Sequence, residues 1–158
     1  MKRILALLLA LVLTFGLFAC TAAPLDPVIP ESTPAQTEEA VSLPDEDGWY
    51  YGAEDVALYL VAYGHLPDNF ITKSEARELG WEGGSVERFL EGAAIGGDKF
   101  GNREGLLPEA DGRQYYECDI DTNGEDSRGA KRLVYSDDGL IYYMEDHYES
   151  FILLYGEE

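Results

Sequence analysis

Cysteine and positive charge are both scarce in this chain. Of its two cysteines, Cys20 lies in a leader-like front segment, so the foldable part keeps only Cys118. One thiol excludes an internal disulfide. Cys118 falls in a strand pattern and reads as a core filler, not a nucleophile. Lys and Arg number 11 against 31 Asp and Glu, for a formal net charge of −20. Generic nucleic-acid binders are usually basic, so this balance argues against that class. The longest apolar run, Ile4–Phe18, is too short for a comfortable bilayer span. There is no metal-ligand spacing, no glycine-rich phosphate loop of the P-loop type and no serine triad, which leaves those chemistries unsupported. Gly96-Gly97-Asp98 reads as a close backbone approach within a sheet, and no internal repeat is visible.

The front of the chain is organised for export. Lys2 and Arg3 precede the apolar run, as in a signal peptide. Leu17-Phe18-Ala19-Cys20 resembles a lipobox, with Phe18 larger than the usual residue there. Residues 1–19 therefore read as a lipoprotein signal and Cys20 as the lipid attachment site. The alternative is an ordinary secretory signal with Cys20 incidental. Residues 20–48 are rich in Pro, Ala, Thr and acids and lack apolar periodicity, so they read as a flexible tether. Residues 49–158 are left as the domain, long enough for one globular unit and not two.

Within that domain helical signals precede strand signals, which predicts an α+β fold: N-terminal helices packed on a C-terminal antiparallel β-sheet. Val56, Tyr59, Leu60 and Tyr63 recur at helical spacing, placing a first helix near Ala53–Tyr63 with Gly64 ending it. Thr72-Lys73-Ser74-Glu75 reads as a capping box opening a second helix, closed by Gly80. A short third helix is expected over Val86–Leu90. Strands are expected at Ala94–Lys99, Gln114–Ile120, Lys131–Ser136, Leu140–Met144 and Ser150–Leu154, with Asp138-Gly139 as a hairpin turn. Alternation puts Tyr115, Glu117 and Asp119 on one face and Tyr116, Cys118 and Ile120 on the other. If Cys118, Ile120, Leu133 and Tyr135 pack on the helices, Glu117 and Arg132 project together into an open groove.

Three blocks carry a family likeness: GHLPDNFITKSEARELGW at Gly64–Trp81, IGGDKFGNREGLLP at Ile95–Pro108 and YSDDGLIYYMEDHY at Tyr135–Tyr148. In order, spacing and length they resemble barnase and its relatives, the small secreted guanyl-preferring bacterial ribonucleases, here in lipoprotein form. The likeness runs from about Tyr51 to Phe151. It implies the barnase-like microbial ribonuclease fold and cleavage of RNA without a metal or other cofactor.

Such cleavage uses the 2′-hydroxyl as nucleophile, so it needs a base, an acid for the departing 5′-oxygen and fixed positive charge for the phosphate. The resemblance assigns these roles residue by residue. Glu117 stands at the general-base position and His147 at the general-acid position. Arg128 and Arg132 stand where the family grips phosphoryl oxygens, and Lys73 adds a further charge. Phe100, Gly101, Asn102, Arg103 and Glu104 stand where relatives read guanine, with Glu104 as the carboxylate that accepts from the base. Gly101 replaces the serine of barnase. Tyr148 stands where it stacks on a base. The loop Asp121–Ser127 is longer than its barnase counterpart, so Arg128 has a second reading as a loop charge paired with Asp126. His65, without such company, reads as structural. A glutamate near pH ~4.3 and a histidine near ~6.5 predict a bell-shaped pH profile.

The implied partners are single-stranded RNA, a membrane reached through lipid on Cys20, and a barstar-like inhibitor, with the protein a monomer. The implied location is extracellular and membrane-tethered. The acidic balance departs from the basic character of the family. It keeps a rival open, a catalytically silent surface lipoprotein that binds some other ligand.

Overall fold

The computed structural model describes residues 42–157. The signal, Cys20 and most of the tether lie outside the described residues. The elements are helix α1 (Ala53–Tyr63), strand β1 (Phe70–Ile71), helix α2 (Lys73–Glu78), a 3₁₀ turn (Val86–Arg88), and strands β2 (Ala94–Phe100), β3 (Tyr115–Asp119), β4 (Arg132–Ser136), β5 (Ile141–Met144) and β6 (Ile152–Tyr155). They form the expected α+β arrangement.

The strands make one six-stranded sheet in sequence order. β2 through β6 pair antiparallel, as the sequence predicts. β1 was not anticipated, and it pairs parallel with β2 through Phe70 and Ile71. A two-residue strand is too short to leave a periodic signal. The third helix is also shorter than expected, a single 3₁₀ turn.

α1 ends where Gly64 takes φ 76° and returns its N–H to the Leu60 carbonyl at 2.9 Å. Val56, Ala57 and Leu60 then pack on Cys118, Ile120, Leu133 and Ile141, the sheet face that alternation assigns to the core. Ala76, Trp81, Val86, Ala93 and Ile95 make a second cluster beside α2. Leu107, Tyr115, Val134, Leu140 and Tyr142 make a third on the opposite sheet face. That third cluster gives the functional face an apolar floor at one end.

Contacts with α1 begin ahead of Trp49, inside the segment expected to be tether. The Tyr63 hydroxyl donates to the Pro44 carbonyl at 2.7 Å and the Tyr59 hydroxyl to the Glu46 carbonyl at 2.9 Å. Pro44 and Glu46 are anchored through backbone carbonyls, an interaction that side-chain composition does not reveal. Trp49 lies over Gly92, where φ is 72° and an added Cβ would fall 2.2 Å from the indole.

Candidate active site

The site is assembled on the sheet face opposite α1. β2 carries a bulge between Gly96 and Asp98, and past it Asp98 pairs in register with Glu117. Bulges re-aim side chains in this way. The Asp98 carboxylate accepts the backbone N–H of Lys73 at 2.9 Å. Lys73 is the first residue of α2, behind the predicted capping box: Glu75 N–H donates to Thr72 Oγ1 at 3.2 Å, and Thr72 N–H donates to Glu75 Oε2 at 2.8 Å. With its backbone N–H held by Asp98 at the start of α2, Lys73 reaches Glu117 Oε1 with Nζ at 2.5 Å. The Tyr148 hydroxyl donates to Glu117 Oε2, also at 2.5 Å.

Glu117 is 8% exposed. Burial pushes its pKa up, but the hydrogen bonds from Lys73 and Tyr148 and the charges of Lys73 and Arg128 outweigh burial, so it lies below the ordinary carboxylate value. Burial and the adjoining Glu117 carboxylate push the Tyr148 phenol up to about 12. The carboxylate is thus ionised, oriented and supplied with donors, as a general base requires.

Two residues along the same face, Asp119 collects both arginines. Arg128 is bidentate to it, Nε to Oδ2 at 2.6 Å and Nη2 to Oδ1 at 2.8 Å. Arg132 Nε lies 2.9 Å from Oδ1. Arg132 also donates to the carbonyls of Arg128, Gly129 and Lys131. The Arg128 guanidinium sits 5.7 Å from the centroid of the Trp81 ring. Asp126 pairs instead with Arg88 at 2.8 Å, so it is Asp119, not Asp126, that balances Arg128. Burial pulls the Arg128 pKa down, and the Asp119 contact reverses that, so the guanidinium stays charged; burial pushes the Asp119 carboxyl up, against the downward pull of the two arginines.

The Phe100–Glu104 loop meets this cluster. Asn102, at φ 40°, braces the loop by exchanging two hydrogen bonds with the Leu107 backbone at 2.9 and 3.0 Å. Arg103 and Glu104 are exposed. A cavity of about 320 Å³ is lined by Lys99, the loop from Phe100 to Glu104, Glu117 and Tyr148. Tyr148, the residue expected to stack on a base, is engaged at both its ring and its hydroxyl. Its ring stacks on Phe100 at 5.5 Å and 19° while its hydroxyl holds Glu117.

His147 sits on a turn organised by Asp146, whose carboxylate accepts the N–H groups of Glu149 and Ser150, both at 3.1 Å. His147 and Tyr148 have φ 57° and 73°. Two successive non-glycine residues in this region cost about 1–3 kcal/mol each, a strain typical of functional turns. Its product is an exposed imidazole beside an inward Tyr148. Among the described residues none hydrogen-bonds to the His147 ring. The structure therefore brings together Lys73, Glu117, Tyr148 and the loop, sets Arg128 and Arg132 alongside on Asp119, and links His147 to them through its neighbour. Sequence reasoning missed Asp98 and Trp81. The Gly-Gly ahead of Asp98 was the available signal.

The ribonuclease family pattern matches residues 54–155, which contain every residue of this cluster. The chain belongs to the ribonuclease family. It is 52% identical over 101 residues to a ribonuclease of Heyndrickxia coagulans, covering 62% of this chain and 91% of that protein. It is equally identical over 101 residues to a ribonuclease of Bacillus intermedius, where the match spans 61% of the relative, under two thirds of its length. It is also 49% identical over 57 residues to guanyl-specific ribonuclease St of Saccharopolyspora erythraea, covering 36% of this chain and 56% of that protein.

In a ribonuclease that uses Glu117 as base, its lowered pKa sets the acid limb of kcat/KM below the ordinary carboxylate range. The same depression adds stability above the unfolded pKa, which is lost as pH falls through the folded value. Lys73→Met removes the strongest opponent of burial and is expected to move the limb upward. A pH–rate profile with an unmoved limb would assign the base elsewhere.

Proposed function

We propose that this endoribonuclease cleaves single-stranded RNA after guanosine, without a metal ion, by transesterification to a 2′,3′-cyclic phosphate that is then hydrolysed. The observation that carries the reading is the single cavity into which both the Glu117 carboxylate and the Phe100–Glu104 loop open. A guanine held by that loop puts its own ribose next to Glu117. Glu117 then takes the 2′-hydroxyl proton, and Lys73, Arg128 and Arg132 offset the charge that grows on the phosphate. His147 gives its proton to the leaving 5′-oxygen, and the two groups exchange roles in the hydrolysis step. Glu104 accepts from the guanine edge while backbone N–H groups of Gly101 and its neighbours donate to it. The guanyl-specific name of one relative supports the base preference. DNA lacks the nucleophile.

The proposal extends to a monomeric protein outside the cell, held to the membrane by lipid on Cys20 and controlled by a barstar-like inhibitor.

The test is cleavage of dinucleoside phosphates by residues 42–158 in the presence of chelator. Guanosine on the 5′ side is expected to give cyclic phosphate, and adenosine there much less. Absence of product at every pH and salt concentration would move the protein to the binding role. Residues 42–158 hold 9 Lys and Arg against 27 Asp and Glu, so the rate is also expected to fall only gently with added salt, or to rise at first as long-range repulsion is screened. A steep fall at low ionic strength would mean that the local cations govern encounter.

A further inference from the structure

The loop Asp121–Ser127, which the barnase resemblance leaves unmatched in length, is not loose. Gly124 N–H donates to Glu87 Oε2 at 2.7 Å, reaching across to the 3₁₀ turn. The Asp126 carbonyl accepts the Ser85 N–H at 3.2 Å, and its carboxylate takes Arg88 Nη2 at 2.8 Å. The far side of this junction is fixed as well, because Trp81 Nε1 donates to the Gly84 carbonyl at 3.0 Å. Trp81 is the ring beneath Arg128. The backbone that leads into Arg128 and the ring under its guanidinium are therefore tied to one short segment, Gly84–Arg88.

We propose that Glu87 is a positioning residue: by latching the Asp121–Ser127 loop through Gly124 it sets where Arg128 meets the substrate phosphate. The inference rests on Arg128 contacting that phosphate, as proposed above. Within the latch the members differ in weight. The Arg88–Asp126 pair has side-chain exposures of 60% and 100% and is screened by water. The Glu87 contact also lies at the surface, but it is a charge-assisted bond to a backbone N–H and acts directly on the loop's turn. Small displacements matter here, since a misplacement of about 1 Å can cost about 10²-fold in rate.

The experiment is a double-mutant cycle in the domain carrying Trp49→Phe, so that Trp81 is its single fluorophore of that type. Glu87→Ala is expected to lower kcat/KM on a guanosine dinucleotide about tenfold, within the range that misplacement can cause. Glu87→Gln, which keeps an acceptor oxygen but not the charge, should recover most of that loss. In an Arg128→Ala background Glu87→Ala should cost nothing further. Trp81 emission should shift with Glu87→Ala only when Arg128 is present. Equal losses in both backgrounds, a glutamine variant as impaired as alanine, or unchanged emission would each overturn the latch. A separate outcome, full activity in Arg128→Ala together with an emission shift on Glu87→Ala that is confined to the protein keeping Arg128, would sustain the latch and remove Arg128 from phosphate binding.

Discussion

Glu117→Ala is expected to lower kcat/KM on a guanosine-containing dinucleotide by about 10²–10⁴-fold, the contribution of a positioned general base. The fall should lie in kcat, with KM little changed, because proton removal develops only toward the transition state. Alanine also strips Lys73 and Tyr148 of their shared acceptor, so part of the loss could be mislaid side chains. Glu117→Gln separates the two effects. Its carbonyl oxygen still accepts a hydrogen bond, yet the amide cannot take a proton. A comparable loss in both variants locates the defect in proton transfer. His147→Ala should lower the same rate by a similar mechanism at the leaving group. Full activity in both Glu117→Ala and His147→Ala would place catalysis outside this cluster.

The sequence disclosed this face because alternation is a strict geometric rule. Cys118, Ile120 and Leu133 had to point at the helices, and that left Glu117, Asp119 and Arg132 on the other side. The capping box was legible for a similar reason, since its two hydrogen bonds are local. What escaped depends on contacts across the fold. Asp98 reaches Lys73 only because a bulge in β2 re-aims it, and a bulge is one residue of register with no periodic trace. Tyr148 turns inward onto Phe100 and Glu117 only because the Asp146 turn holds it at positive φ. The contacts ahead of Trp49 were hidden because their anchors are carbonyls of Pro44 and Glu46. Charge was misleading for the opposite reason. A chain-wide excess of acid says little about one groove in which Lys73, Arg128 and Arg132 converge on two carboxylates.

Asp119→Ala is expected to cost about 3–5 kcal/mol of stability, more than any loss of an exposed charge. Asp119 is 2% exposed, and it is the carboxylate shared by Arg128 and Arg132. Its removal leaves two guanidiniums without their anion, and Arg132 is itself 6% exposed. Carbonyls of Arg128, Gly129 and Lys131 still accept from Arg132, but they do not neutralise it. A domain of this kind has only about 5–15 kcal/mol in total, so the variant should unfold at much lower urea. Where it remains folded, Arg128 has one other buried carboxylate on the same face, Glu117. Pairing there would depress the Glu117 pKa further and weaken the base, so activity should fall even in the folded fraction. Asp119→Asn keeps acceptor geometry without the charge and should lie between the two. Urea unfolding of the three proteins, with kcat/KM taken below the transition, measures both effects. A stability loss under about 1 kcal/mol would mean that both guanidiniums simply turn out to water, as exposed ion pairs do. In that case Asp119 would not be what holds the phosphate-binding arginines in place.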